Sequence, residues 1–379
     1  MPPEQPLTKM SMSAIQMLDL RGLHQRLEPA LSAAMKRVVD EGAFIRGADV
    51  GAFECDLAAY LNTRYTLGVG NGTDALQIAL MALDLKPGDE VITSPFTFIA
   101  TAEAAALLGL VPVFCDIDPN TFNLDPEAVA AAITPRTRAI VPVHLFGQPA
   151  DLAPILDLAT RHNLFVIEDN AQGIGSTYQG QRTTAIGHVG TLSFFPSKNL
   201  GAMGDGGAVV TQDEALFERL RMIANHGARR KYHHEIVGVN SRLDTLQAAI
   251  LRVKLAVLDD CIARRQAAAA RYNEWLSGVP GIITPYVDPK GTHVYHQYTI
   301  RVTAAFGRSR DALADHLKAN GIPCMVYYPV ALHQLPVFRH AAGTYLPHAE
   351  RAATEVLSLP MHTELTAAEQ EQIVSVLTA

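Results

Sequence analysis

Apolar residues fall into two rhythms along the first two thirds of the chain. DALQIALMAL (74–83) spaces them three and four apart, the stripe of a helix. EVITS (90–94), VPVFCDID (111–118), AIVPVHLFG (139–147), LFVIEDNA (164–171), VGTLSFF (189–195) and GGAVVT (206–211) are short apolar runs bounded by turns. Such near-continuous runs predict strands buried on both faces. Helical patterns at 101–109, 125–133 and 151–161 lie between them, and Asp125 followed by Pro126 marks a helix start. The alternation predicts an α/β fold whose mostly parallel sheet is covered by helices. Ahead of it, residues 24–62 predict two helices with a turn at GAFIRG (42–47).

After about residue 240 the rhythm changes. Residues 241–276 form one long helical stretch with no Pro or Gly and room for a break. Residues 278–302 predict strands, followed by an amphipathic helix at 310–320, a Pro-rich link and a final helix. This half predicts a smaller α+β domain. The expected organisation is a flexible tail at 1–12, a large domain at 13–257 and a small C-terminal domain at 258–379.

Composition narrows the class. The chain has 379 residues, 48% hydrophobic and 18% charged, with a net charge of -7. That balance favours neither nucleic acid nor an anionic membrane surface. ARRKYHH (228–234) is the one dense basic stretch; it reads either as a solvated loop or as a contact for an anionic ligand. The four cysteines, Cys55, Cys115, Cys261 and Cys324, have no CxxC spacing and predict reduced thiols rather than a zinc site or a disulfide framework. With no signal-like segment and no apolar run long enough to span a membrane, the expected location is cytoplasmic. No metal is expected.

Four local features carry candidate chemistry. GVGNGTDALQIAL (68–80) runs a glycine-rich turn into a helix, where free N–H groups and the helix dipole favour an anion; a plain helix cap reads the same way. VIEDNAQ (166–172) puts Glu168 and Asp169 at the end of a buried strand, where they suggest a metal, a cationic ring partner or a turn cap. SPFTFIAT (94–101) puts Phe98 past another strand end, either over a flat ring or in the core. TLSFFPSKNLGAMGDGG (191–207) sets Lys198 between a strand and a flexible turn, as a buried cation or a nucleophile. A lysine for a Schiff base, an acid for a ring nitrogen, a phosphate cup and a stacking aromatic are together what pyridoxal 5′-phosphate requires.

Six motifs make the chain resemble the DegT/DnrJ/EryC1/StrS sugar aminotransferases from about residue 15 to the C-terminus. They are NGTDAL (71–76), PFTFIATA (95–102), EDNAQ (168–172), SFFPSKNLGAMGDGG (193–207), GVNSRLDTLQAAIL (238–251) and SLPMH (358–362). The resemblance implies fold type I of the pyridoxal phosphate enzymes, with a seven-stranded mixed sheet and a small C-terminal domain. It implies that Lys198 carries the cofactor, Asp169 pairs with its ring nitrogen, Gln172 lies near its hydroxyl and Phe98 stacks on the ring. Gly72, Thr73 and Ser193 are implied to hold the phosphate, with Asn240 reaching it from the neighbouring subunit of a homodimer with shared active sites. Related dehydratases carry His where Lys198 stands, so the lysine implies an aminotransferase. L-glutamate is the implied donor and a 3-keto nucleotide sugar the acceptor, with Arg242, Arg229 and Tyr327 near the substrate. The chain looks most like enzymes that aminate UDP-2-acetamido-2-deoxy-3-oxo-glucuronic acid for O-antigen and related polysaccharides. A dTDP-3-keto-6-deoxyhexose or UDP-3-keto-GlcNAc is the alternative acceptor, and a pyridoxal phosphate-binding regulatory protein the non-enzyme alternative.

Overall fold

The computed structural model describes residues 15–379; the expected tail at 1–12 lies outside them. Three helices come first among the described residues, α1 (Leu20–Arg26), α2 (Ala30–Glu41) and α3 (Ala48–Leu61). The sequence predicts two, but Pro29, which has no N–H to continue a helix, stands at the start of α2 and divides the first. Next come β1 (Tyr65–Val69), α4 (Gly72–Ala82), β2 (Glu90–Thr93), α5 (Ala100–Leu107), β3 (Val111–Phe114), α6 (Pro126–Ala132), β4 (Thr137–Val141), α7 (Leu152–His162) and β5 (Phe165–Asp169). A hairpin of β6 (Thr177–Tyr178) and β7 (Gln181–Arg182) precedes β8 (Val189–Ser193), β9 (Gly207–Thr211) and α8 (Glu214–Ile223). The basic stretch forms a second hairpin, β10 (Ala228–Arg230) and β11 (His233–His234).

The seven main strands form one sheet in the order β1-β9-β8-β5-β4-β2-β3. β9 pairs antiparallel with both β8 and β1, and the remaining pairings are parallel, so β9 alone runs against the other six. The expected seven-stranded mixed sheet is therefore present. β2, β5, β8 and β9 are buried almost throughout, because helices cover both faces. One core, with Ile78, Leu80, Ala104 and Leu220, lies under α4, α5 and α8. Another joins Phe53, Leu57, Phe194, Leu200 and Leu251 under α3 and α9 (Thr245–Leu255).

The predicted long helix is broken between α9 and α10 (Leu258–Trp275). α10 belongs to both halves of the molecule. Leu258 and Ile262 pack in the core beneath α3, whereas Ala268, Ala269 and Tyr272 line the C-terminal core. That second core packs against a three-stranded antiparallel sheet, β12 (Ile282–Ile283), β13 (Tyr298–Val302) and β14 (Val356–Leu359). Within 278–302 only those two short strands form, since Pro280, Pro285 and Pro289 withhold ladder N–H groups. α11 (Arg310–Ala319), α12 (Pro347–Glu355) and α13 (Ala367–Thr378) complete this half. Ile15 packs into the C-terminal core, and Met361 donates its N–H to the Met17 carbonyl. Residues 15–17 thus touch the small half. Among the described residues no helix is long and apolar enough to cross a membrane.

Candidate active site

The carboxyl edge of a parallel sheet collects the loops that follow its strands. Here that edge holds Asn71–Thr73 after β1, Thr97–Thr101 after β2, Asp169–Gln172 at the end of β5 and Ser193–Lys198 after β8. Because β9 is reversed, its first residue, Gly207, and Gly206 just before it return to the same edge. A cavity of about 550 Å³ opens among them, lined by Gly72, Thr73, Phe98, Asp169, Gln172, Ser193, Lys198 and Tyr327. The structure thus brings together eight of the eleven predicted site residues.

Lys198 sits on a turn closed by hydrogen bonds from Lys198 N to Phe195 O (2.8 Å) and from Ala202 N to Phe194 O (2.7 Å). Gly201 is required within that turn, since a Cβ there would meet Pro196 O at 2.3 Å. Buried Lys254 of α9 donates to the Gly201 carbonyl at 2.7 Å and fixes the turn from behind. Among the described residues the Lys198 amine has no hydrogen-bond or ion-pair partner. Burial lowers its pKa from 10.5 to about 8, against the opposing pull of Asp169. A lysine so placed is readily neutral and nucleophilic.

Asp169 is held from two sides. Thr101 Oγ1 donates to Oδ2 at 2.7 Å, and the Ala171 N–H donates to Oδ1 at 3.2 Å. Neighbouring Glu168 points to the opposite face, as strand alternation requires. It accepts N–H groups from Thr184 and Ile186 at 2.8 Å and from Gly187 at 2.6 Å. His144 Nε2 lies 3.0 Å from its Oε2. His144 Nδ1 accepts the Ala150 N–H at 3.0 Å, so the ring is neutral and gives its Nε2 proton to Glu168. Burial alone would raise the Glu168 carboxyl, yet His144 and the Gly187 and Thr184 N–H groups hold it below the ordinary value. The two acids therefore divide, Asp169 to the cavity and Glu168 to the framework. Among the described residues no His, Cys, Asp and Glu group could hold a metal.

The start of α4 supplies the anion cup. Asn71 caps the helix by accepting the Asp74 N–H at 2.8 Å, which leaves the Gly72 and Thr73 N–H groups free to face the cavity. Gly72 is obligatory, because a Cβ there would come within 2.6 Å of Ser193 Cβ. That closeness sets the Ser193 hydroxyl beside the helix terminus. Free donors at a helix N-terminus, a carboxylate and an unpaired lysine around one cavity fit pyridoxal 5′-phosphate. Phe98 is 58% exposed on the cavity wall, free to cover a flat ring.

Residues the sequence reading missed also meet here. Gln172 Oε1 accepts the Phe146 N–H at 2.7 Å, and its Nε2 donates to the Tyr328 hydroxyl at 3.1 Å. Gln172 thus positions Tyr328, a half-buried phenol on the cavity whose pKa is pushed up by desolvation. His296 lines the cavity too, held neutral by burial, by Lys198 and by Arg265. The motif containing Thr101 is visible in the sequence, but nothing local connects Tyr328 or His296 to residues over 100 positions earlier.

The other three predicted residues lie elsewhere. Asn240 is exposed. Arg229 and Arg242 line a separate cavity of about 320 Å³ with Arg46, Glu54 and Arg221, which shares no lining residue with that of Lys198. Within one chain they do not reach Lys198.

Comparison with known proteins follows the same lines. Residues 25–378 match the DegT/DnrJ/EryC1/StrS aminotransferase family. The chain is 47% identical over 364 residues to the UDP-2-acetamido-2-deoxy-3-oxo-D-glucuronate aminotransferase of Pseudomonas aeruginosa, covering 96% of this chain and 99% of that one. It is 48% identical over 364 residues to a pleiotropic regulatory protein of Geobacillus stearothermophilus, covering 95% and 96%. The crystal structure of S. venezuelae DesV superposes with a TM-score of 0.93 at 44% identity, covering 97% of this chain and 98% of that one.

Proposed function

The chain belongs to the DegT/DnrJ/EryC1/StrS aminotransferase family of pyridoxal phosphate-dependent sugar transaminases, and from that premise we propose which amine it moves and onto what. L-glutamate gives up its amino group, and the 3-keto carbon of UDP-2-acetamido-2-deoxy-3-oxo-glucuronic acid receives it, in the cytoplasm of a cell building O-antigen or a related polysaccharide. The near full-length identity to the P. aeruginosa aminotransferase supports that acceptor. The observation that carries the reaction type is Lys198, unpaired and opening on the same cavity as Asp169.

Pyridoxal phosphate, when bound, supplies an aldehyde for an incoming amine and a ring that withdraws electrons from the adjoining carbon. Gly72, Thr73 and Ser193 would hold its phosphate, Phe98 would cover the ring, and Asp169, fixed by Thr101, would keep the ring nitrogen protonated. Lys198 then has two tasks. Its amine would anchor the cofactor, and when free it would be a neutral base beside the reacting carbon. It takes a proton from glutamate in the first half-reaction and returns one to the sugar carbon in the second. Gln172 holds the Tyr328 phenol on the same cavity by a hydrogen bond of 3.1 Å.

Asn240, Arg229 and Arg242 serve the site of a second copy. Phe44, Ile45, Tyr232 and Val237, all about half exposed or more, lie in the segments that carry Arg46 and these residues. An apolar set of that kind supports a homodimer. Arg242 would pair with the sugar carboxylate, a contact suited to a guanidinium fork.

The test is a panel of 3-keto nucleotide sugars offered to the amino-loaded enzyme, with products read by mass spectrometry. Amination of the glucuronic acid derivative ahead of the GlcNAc and dTDP-6-deoxyhexose derivatives is expected, with that preference lost in Arg242→Gln. Equal or better turnover of an uncharged sugar would overturn the acceptor assignment and leave the family standing.

A further inference from the structure

The second cavity concentrates positive charge. Arg46 comes from the turn before α3, Arg229 from the β10–β11 hairpin and Arg242 from the loop before α9. Guanidinium groups from three separate segments repel one another unless carboxylates lie among them. Arg221 is neutralised by Glu218 at 2.7 Å. Arg229 has only a loose contact to Glu235 at 3.8 Å, with both side chains more than half exposed. Arg46 and Arg242 have no hydrogen bond or ion pair among the described residues. The one other acid on the wall, Glu54, accepts the Gly68 N–H at 2.7 Å, and burial raises its pKa despite the charge of Arg46. The cavity therefore holds more cation than anion.

Its volume, about 320 Å³, is that of a small-ligand site. It is not the cofactor's phosphate cup, which Gly72, Thr73 and Ser193 form on the other cavity. We propose that Arg46, with Arg229 and Arg242, forms a site for the oxyanions of the nucleotide sugar, so that Arg46 is a specificity-determining residue. The proposal rests on the nucleotide-sugar reading above and on the shared site of a dimer. A nucleotide sugar acid brings two such sources, the diphosphate and the sugar carboxylate, and both suit a planar guanidinium.

The two sources separate by titration. Pyridoxal phosphate-loaded enzyme is titrated calorimetrically with UDP, UDP-GlcNAc and UDP-N-acetylglucosaminuronic acid, none of which can react, in wild type, Arg46→Met and Arg242→Met. Loss of one fork–oxyanion contact weakens binding by about tenfold to a hundredfold. Arg46 is exposed and pairs with nothing, so Arg46→Met should keep the thermal midpoint and cofactor content of wild type, which shows that the fold is intact. Equal weakening of all three ligands assigns Arg46 to the diphosphate. Weakening of the sugar acid alone assigns it to the carboxylate. Unchanged affinity of Arg46→Met for all three overturns the proposal and spares the nucleotide-sugar reading. A wild type that binds none of them overturns both.

Discussion

Thr101→Val removes the buried Thr101 hydroxyl, with its contact to Asp169 and a longer one of 3.4 Å to the Thr97 hydroxyl, and leaves the side-chain shape. In the native protein the Thr101 hydroxyl donates to Asp169 Oδ2 at 2.7 Å, with both residues buried. A hydrogen bond to an ionised group contributes about 1.5–3 kcal/mol net. Its loss leaves the Ala171 N–H at 3.2 Å as the protein donor to that carboxylate among the described residues, so the carboxylate is free to rotate. At 1.36 kcal/mol per tenfold, the donor half-reaction slows by roughly 10- to 100-fold. Stopped-flow absorbance of the bound cofactor after mixing with L-glutamate measures this directly. Thr101→Ser restores the hydroxyl and should recover most of the rate, which a purely steric role would not produce. A Thr101→Val rate within twofold of wild type would refute the idea that Asp169 depends on this contact.

Three further outcomes follow from the same geometry. In Gly72→Ala the new methyl would press on Ser193 Cβ from 2.6 Å, an overpacking cost of about 1–3 kcal/mol at the phosphate cup, so cofactor affinity in an equilibrium titration should fall by roughly tenfold or more. His144→Leu removes the hydrogen bond that the neutral ring gives to fully buried Glu168 and should destabilise the fold by about 1.5–3 kcal/mol in urea unfolding. Because the Glu168 carboxyl titrates lower when folded than unfolded, its stabilisation is complete above the unfolded pKa. It is lost as pH falls through the folded one, so wild type and His144→Leu should differ less in acid than at neutrality. Only the neutral Lys198 amine attacks an aldehyde, so the rate at which apoenzyme takes up pyridoxal phosphate should rise with pH and level off above about 8, not near 10.5.

The reaction centre was legible because its parts are local. Lys198 lies between a buried strand and a glycine-rich turn, Asp169 ends an apolar run, and the glycines of 68–72 open a helix. Each signal spans fewer than twenty residues, and the α/β alternation alone places all of them on one sheet edge. What escaped the sequence depends on contacts across the chain. β1 is only five residues long and includes Gly68, so its short alternation of Tyr65, Leu67 and Val69 is a weak local signal; its pairing with β9 makes it a strand. Glu168 and Asp169 look like a pair until alternation sends one to His144 and the other to Thr101. The role of Arg46 beside Arg242 appears only when the chain folds its turn against a loop nearly 200 residues later.

The most direct test of the central claim is the visible spectrum of the protein loaded with pyridoxal phosphate, before and after excess L-glutamate, beside Lys198→Ala. The account predicts a protein-bound cofactor band in wild type that glutamate discharges, and no such lysine-linked band in Lys198→Ala. A band that glutamate leaves untouched, or one equally present without Lys198, would contradict it.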